Sequence, residues 1–105
     1  MRVNFNLKNY LETYVEIDPE KGTMDWKKPR ARNVKAGHPI GMVNRKGFRV
    51  VCLENKTYQL HYLMWFYVYG EFPTKELRFK NHNKRDISID NLVEYDKVVL
   101  KNFTF

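Results

Sequence analysis

The sequence predicts a small α+β domain, in which a β-rich N-terminal part with one buried helix precedes a strand–loop–strand–helix unit. Short runs rich in β-branched and aromatic residues, separated by Gly, Asn and Pro turns, are typical of strands. The nearly continuous apolar segment HYLMWFYVYG has the length of a buried helix. The 105 residues fit one domain, which divides into an N-terminal part, 1–60, and a C-terminal unit, 61–105.

The N-terminal part is predicted to begin with a helix over residues 7–17, where apolar side chains recur at spacings typical of one helix face. DPEKG at 18–22 is predicted to be a turn, because Pro19 and Gly22 interrupt regular structure. A short strand over 23–27 and a basic loop over 28–38 follow.

A β-region is predicted next, with strands over 40–43, 48–54 and 57–60. The first connection is the turn Asn44-Arg45-Lys46-Gly47, and the second is Asn55-Lys56. Cys52 lies within the middle strand and is interpreted as a small buried apolar residue. It is the only cysteine, so an internal disulfide and a four-cysteine zinc site are both excluded.

The C-terminal unit opens with the apolar segment, predicted to be a buried helix over 62–69 that stops at Gly70, with a strand as the alternative. A strand over 76–80, a polar loop over 81–90 and a strand over 91–95 follow. Asp96 is a suitable N-cap for a last helix over 97–102.

The positive charge is concentrated in the middle of the chain. The formal net charge is +7, and residues 27–56 alone carry nine basic and one acidic side chain. Such a concentration favours a surface that binds a polyanion, with a merely solubilising basic surface as the alternative. The candidate DNA-binding residues are Lys27, Lys28, Arg30, Arg32, Lys35, Arg45, Arg49, Arg78, Lys80, Lys84 and Arg85.

The sequence also limits where the protein acts. No apolar run approaches the roughly 18 residues of a membrane-spanning helix, so we expect no membrane association. The N-terminus lacks the basic-then-apolar layout of a secretion signal, and we expect a cytoplasmic protein.

Several motifs occur together in a recognisable order. These are DPEKGTMDWKK at 18–28, NVKAGHPIG at 33–41, KGFRVV at 46–51, QLHYLMW at 59–65, YGEFP at 69–73 and LRFKNHNKRDISIDNL at 77–92. In this order and spacing the chain resembles the small phage HNH endonucleases of the homing type. The resemblance covers about residues 10–100 and implies a His-Me finger, a ββα motif, in the C-terminal unit.

The resemblance also implies where catalysis would occur. In the family segment I-D-H-I-N, the aspartate binds a divalent metal, and the histidine is the general base that activates water for attack on a phosphodiester. A third ligand, His or Asn, comes from the final helix. Here the aspartate position holds Arg78, the histidine position holds Phe79, and the helix ligand falls near Leu100.

None of these three side chains can perform the family role. An arginine repels a divalent cation, phenylalanine accepts no proton and leucine coordinates nothing. His82 and His61 are weak candidates for a relocated base; we interpret His82 as an exposed loop residue and His61 as a packed histidine. Asn91, kept from the family motif, is interpreted as a scaffold residue that bonds backbone groups across the loop.

We therefore predict a catalytically inactive HNH-like phage protein that binds double-stranded DNA through a basic face. In this role Arg78 turns a spot that repels phosphate into one that attracts it. One alternative is a protein that binds and inhibits a host nucleic-acid enzyme or defence complex, through aromatics such as Trp65 and Tyr69. Another is an active nuclease with a rebuilt site; only then would a cofactor, Mg²⁺ or Mn²⁺, be expected.

Overall fold

A computed structural model of the protein describes residues 6–29 and 35–95. Its described elements form an α+β fold with two α-helices and seven strands, and a single-turn 3₁₀ helix, Ile89–Asn91, precedes the last strand. In chain order they are α1 (Leu7–Tyr14), β1 (Val15–Asp18), β2 (Thr23–Trp26), β3 (Met42–Val43), β4 (Arg49–Leu53), β5 (Lys56–Gln59), α2 (Leu60–Tyr69), β6 (Glu76–Phe79) and β7 (Leu92–Tyr95). The α+β prediction is confirmed. The helix predicted over 97–102, Asp96 and Leu100 lie outside the described residues.

The strands form three small antiparallel sheets, β1–β2, β3–β4–β5 and β6–β7. The segment that follows the basic loop runs along the free edge of β2. There Trp26 N–H donates to the His38 carbonyl at 2.8 Å, and Ile40 N–H donates to the Met24 carbonyl at 3.0 Å. This segment carries the chain from the first sheet to the second.

The first helix is shorter than predicted. It begins after Asn6, whose side chain accepts a hydrogen bond from the Asn9 amide at 3.1 Å, and it ends at Tyr14. Val15 and Ile17 are buried while Glu16 is exposed, which is the two-residue period of a strand. The prediction of a helix to residue 17 was wrong because apolar residues at positions 15 and 17 fit the helical period of the preceding segment as well as the two-residue period of a strand.

The β-region matches the predicted order, with two corrections. The tight turn of the β4–β5 hairpin is Glu54-Asn55, with φ of 50° and 66°, rather than Asn55-Lys56. Cys52 is exposed, so the prediction that it is buried was wrong. Its neighbours Val51 and Leu53 face the core, and the opposite face of this sheet is open.

The apolar segment is a helix, α2, and it stops at Gly70 in the left-handed conformation with φ 84°. Only its first half is buried, through Leu60, His61, Leu63 and Met64. Trp65 and Phe66 are partly buried, and the last residues, including Tyr67 and Tyr69, are exposed, so the helix is not buried throughout as predicted. Neither described helix is long and apolar enough to cross a bilayer.

One core joins the N-terminal part to the β6–β7 unit. It includes Leu11, Met24, Leu53, Leu63 and Ile87, each at most 1% exposed. Ile87 comes from the loop between β6 and β7, so this loop is built into the core. Two contacts fix it to the β1–β2 turn. Ile89 N–H donates to the Pro19 carbonyl at 2.9 Å, and the Gly22 backbone lies directly against Ser88.

We predict that Gly22→Ala destabilises the protein more than Gly37→Ala. Both glycines have positive φ, 71° and 92°, so both variants carry backbone strain. At Gly22 the added Cβ would meet the Ser88 amide nitrogen at 2.6 Å, whereas at Gly37 it would lie more than 4 Å from any heavy atom of the described residues other than its chain neighbours. We expect an additional loss of about 2 kcal/mol for Gly22→Ala in urea unfolding. Equal losses would show that the turn does not support the loop.

Candidate nucleic-acid interface

The β6–β7 hairpin carries Arg78 and Phe79, the two positions that the sequence resemblance aligns with a metal ligand and a base. In its register Leu77 pairs with Glu94, Arg78 with Val93 and Phe79 with Leu92. Because side chains alternate along a strand, Leu77 and Phe79 point into the core and Arg78 points outward. The two critical positions therefore lie on opposite faces of β6.

The loop between these strands is held by Asn91, which is 7% exposed. Its side-chain oxygen accepts from the Asn81 amide at 3.0 Å, and its nitrogen donates to the Asp86 carbonyl at 2.8 Å. The scaffold role predicted for Asn91 is confirmed. The Asp86 carboxylate also accepts from the Ser88 hydroxyl and from Asn81, and these bonds lower its pKa.

Arg78 is held in one orientation on the outer face of the hairpin. Its Nε donates to a Glu76 carboxylate oxygen at 2.9 Å, and its guanidinium carbon lies 4.1 Å from the centre of the Tyr95 ring. The side chain is still 47% exposed. An exposed guanidinium fixed in this way can bind an anion, and it cannot serve as a metal ligand.

Phe79 fills the core position beneath the surface. It is 9% exposed, and its ring centre lies 4.7 Å from that of His61 and 6.2 Å from that of Phe48. The phenyl ring thus covers the one buried histidine of the described chain. In the structure, the Phe79 side chain therefore serves to pack against His61 and Phe48.

His61 is almost completely buried, at 2% exposed, and its Nδ1 atom has no hydrogen-bond partner among the described residues. Burial lowers its pKa from 6.5 to about 4, so the ring is neutral at physiological pH. The interpretation of His61 as a packed histidine is supported. His82 and His38 are exposed loop residues, and His82 has the unusual φ of 63°.

A cleft of about 340 Å³ lies between β6, the loop and the turn before β4. Its lining combines apolar rings with charged side chains, namely Phe48, Glu76, Leu77, Arg78, Phe79, His82 and Lys84. Within residues 6–29 and 35–95, no group of three or more His, Cys, Asp or Glu side chains is placed to hold a metal ion.

Two hydrogen bonds bring basic residues from distant parts of the chain together. The Lys84 ammonium donates to the Lys46 carbonyl at 2.9 Å and lies 4.8 Å from the centre of the Phe48 ring. The Arg49 guanidinium donates to the Arg85 carbonyl at 3.5 Å. We call the resulting surface the basic junction, and it consists of Arg45, Lys46, Arg49, Lys80, Lys84 and Arg85.

The cations of the basic junction differ in how far their side chains are exposed. Arg45, Lys46, Lys80 and Arg85 are exposed. Arg49 is partly buried, which lowers its pKa, and the nearby Asp25 carboxylate opposes that shift. Lys46 is missing from the sequence-predicted candidates, although it stands beside Arg45 in the same basic turn. Glu76 and Tyr95 could not have been found without the strand register.

The remaining predicted cations lie elsewhere. The Lys27 ammonium donates to the Glu12 carbonyl at 2.6 Å, and Lys28 lies 5.6 Å from the centre of the Tyr14 ring, so both stand at the end of α1. Lys35 is exposed in the segment beside β2. Arg30 and Arg32 lie outside the described residues.

Comparison with known proteins gives one match. Residues 58–97, under half of the chain, match the family model described as HNH endonuclease. This range contains α2, the β6–β7 hairpin and all the residues that line the cleft except Phe48, and it indicates a nuclease-like, nucleic-acid-binding protein. No curated protein and no solved structure matches the chain.

We predict that His61 makes stability fall between pH 7 and pH 5. Its folded pKa, about 4, lies below its unfolded value of 6.5, so the unfolded state binds more protons in this window and gains stability as pH falls. The expected loss is about 2 kcal/mol by urea unfolding. Asp86 does not interfere, because its lowered pKa acts only below its ordinary value of 3.8.

The matched control is His61→Phe, which keeps a ring in the aromatic cluster and removes the titrating group. Its unfolding free energy should change little between pH 7 and pH 5. A loss in this variant as large as that of the natural chain would assign the effect to other groups.

Proposed function

Because its residues 58–97 match the HNH endonuclease family model, we propose that this protein binds double-stranded DNA through a basic face and does not cleave it. The observation that carries the proposal is the pair Arg78 and Phe79. They occupy the positions at which the related enzymes hold the metal aspartate and the histidine base.

The chemistry of phosphodiester hydrolysis explains why this pair matters. A water molecule must lose a proton to a nearby base, and the charge that develops on the phosphate must be neutralised by a cation. The buried Phe79 ring accepts no proton. Arg78 supplies positive charge but no ligand oxygen, so it can bind a phosphate without activating water.

Of the two histidines near the cleft, His61 is a poor replacement base. His61 lies beneath the Phe79 ring, and its pKa of about 4 makes it a weak proton acceptor in a site closed to water. His82 lines the cleft and is exposed. If the protein cleaved DNA, His82 would have to act as the general base.

The basic junction is the surface proposed to face DNA. Its exposed cations come from the β3–β4 turn and from the β6–β7 loop, and the Lys84–Lys46 hydrogen bond holds these two segments side by side. Cations at fixed spacing can each neutralise one backbone phosphate and release its counterions. Such contacts fix the position of the protein on the duplex and carry no sequence information of their own.

We expect a mixed-sequence duplex to bind with strong salt dependence. Four phosphate contacts would weaken the affinity about a hundredfold for a fourfold rise in salt. The double variant Arg45→Gln/Arg85→Gln should bind more weakly and show a smaller salt slope, measured by fluorescence anisotropy. Lys8→Gln, which removes an exposed cation from α1, is the matched control. If the affinity of the natural chain for the duplex did not change with salt concentration, the proposal would be contradicted.

The same preparation should leave a supercoiled plasmid intact in the presence of Mg²⁺ or Mn²⁺. Metal-dependent nicking that disappears in His82→Ala would instead establish an active nuclease with a relocated base. Assaying the His82→Ala variant alongside the natural chain separates such activity from a contaminating nuclease, which the substitution would not affect.

A protein partner is the second candidate function, favoured by the exposed apolar end of α2. Tyr67, Val68, Tyr69 and Phe72 are between 39% and 56% exposed, and exposed aromatics are frequent anchors in protein interfaces. In a phage setting the partner would be a host nucleic-acid enzyme or defence complex. A pull-down from nuclease-treated lysate tests this role. It is favoured if such a partner is identified with the natural chain and is absent with the Tyr67→Ser/Tyr69→Ser variant.

A further inference from the structure

We propose that the cleft beside β6 is a seat for one backbone phosphate of DNA, in which the Arg78 guanidinium stands where the related enzymes hold their metal ion. This inference rests on the proposed DNA-binding function and assigns a particular group of the ligand to a particular site. The phosphate would be bound by Arg78 from one side and by Lys84 from the other.

The orientation of Arg78 suits this role. The Nε atom is engaged by Glu76 at 2.9 Å, and one guanidinium face is covered by the Tyr95 ring. The two terminal nitrogens have no hydrogen-bond partner within residues 6–29 and 35–95. They form the edge of the fork that binds two oxygens of one phosphate at the same time.

The strand register explains how this arrangement arises. Glu76 pairs with Tyr95 and Arg78 pairs with Val93, so the three polar side chains share the outer face of the hairpin. Both supports of the guanidinium are therefore built on strands. A side chain that is already ordered loses less conformational entropy when it binds, which strengthens the interaction.

Lys84 supplies the second cation of the cleft. Its ammonium group donates one hydrogen bond to the Lys46 carbonyl and rests against the Phe48 ring. An ammonium group has three donors, so two remain for a ligand. The Glu76 carboxylate offsets one of the two positive charges of Arg78 and Lys84, so these three groups give the cleft a formal net charge of +1. This balance favours an anion over a metal cation.

The size of the cleft also favours a phosphate group of a polymer. Its volume of about 340 Å³ exceeds what an isolated phosphate needs, and its floor includes the apolar side chains of Phe48, Leu77 and Phe79. A phosphodiester presents two charged oxygens flanked by apolar sugar carbons. The charged rim and the apolar floor match these two kinds of surface.

The test compares the natural chain with Arg78→Gln on a short mixed-sequence duplex over a salt series. Loss of one phosphate contact should reduce the slope of log affinity against log salt by about 0.9. The affinity at low salt should fall roughly tenfold, as for one charge-assisted contact. The matched control is Lys56→Gln, because Lys56 is an exposed cation that also lies over a tyrosine ring, Tyr58, outside the cleft.

Two further variants separate binding from positioning. Arg78→Lys keeps the charge and should retain the salt slope, but it should lose affinity several-fold because an ammonium group has no fork. Tyr95→Leu should weaken binding less than Arg78→Gln and leave the slope unchanged, since Tyr95 acts only through Arg78. Thermal unfolding of each variant checks that the fold is retained.

A direct probe is titration with inorganic phosphate and with the dinucleotide TpT, followed through the Nε–H resonance of Arg78. We expect both probes to shift this resonance in the natural chain. If the natural chain binds duplex DNA but Arg78→Gln binds with the same affinity and slope, the phosphate seat is wrong and the proposed function stands. If the duplex does not bind while both probes shift the resonance, the proposed function fails and the seat stands.

Discussion

Burial of Ile87 within the β6–β7 loop is the constraint on which the described structure depends. Apart from Ile87 and Ile89 the loop is polar, yet Ile87 is fully buried in a core built mainly by the N-terminal part. The loop is therefore pressed against two turns. Ile89 bonds to Pro19 in the first, and Lys84 bonds to Lys46 in the second. The position of the loop in turn sets the walls of the cleft and assembles the basic junction.

The bonds that stabilise the loop are separate from the outer face of β6. Asn91 stabilises the loop through two backbone partners, and neither bond involves the outer face of β6. At the two positions that the sequence resemblance aligns with a metal ligand and a base, Arg78 points outward and Phe79 points inward. The outward position accepts an arginine because it is exposed. The inward position accepts a phenylalanine because the ring packs on His61 and Phe48.

The basic residues have two kinds of physical role. Lys84 and Arg49 donate hydrogen bonds to backbone carbonyls of other segments, and Lys27 does the same at the end of α1. These contacts fix the fold as well as placing positive charge. Arg45 and Arg85 are exposed, so phosphate contact would cost them few internal interactions. A substitution in the first group would change both stability and binding, whereas the second group reports on binding alone.

The sequence by itself determined the order of elements after residue 22, the end of α2 at Gly70, the concentration of charge and the presence of Arg78 and Phe79 within the family motif. These follow from local periodicity, turn residues and family motifs. Only the tertiary structure decided that Cys52 is exposed, that α1 stops at Tyr14 and that Glu76 and Tyr95 orient Arg78. A two-residue period in the sequence predicts which side chains share a face of a strand. Which face is covered depends on what packs against it, and that is settled only when distant segments meet.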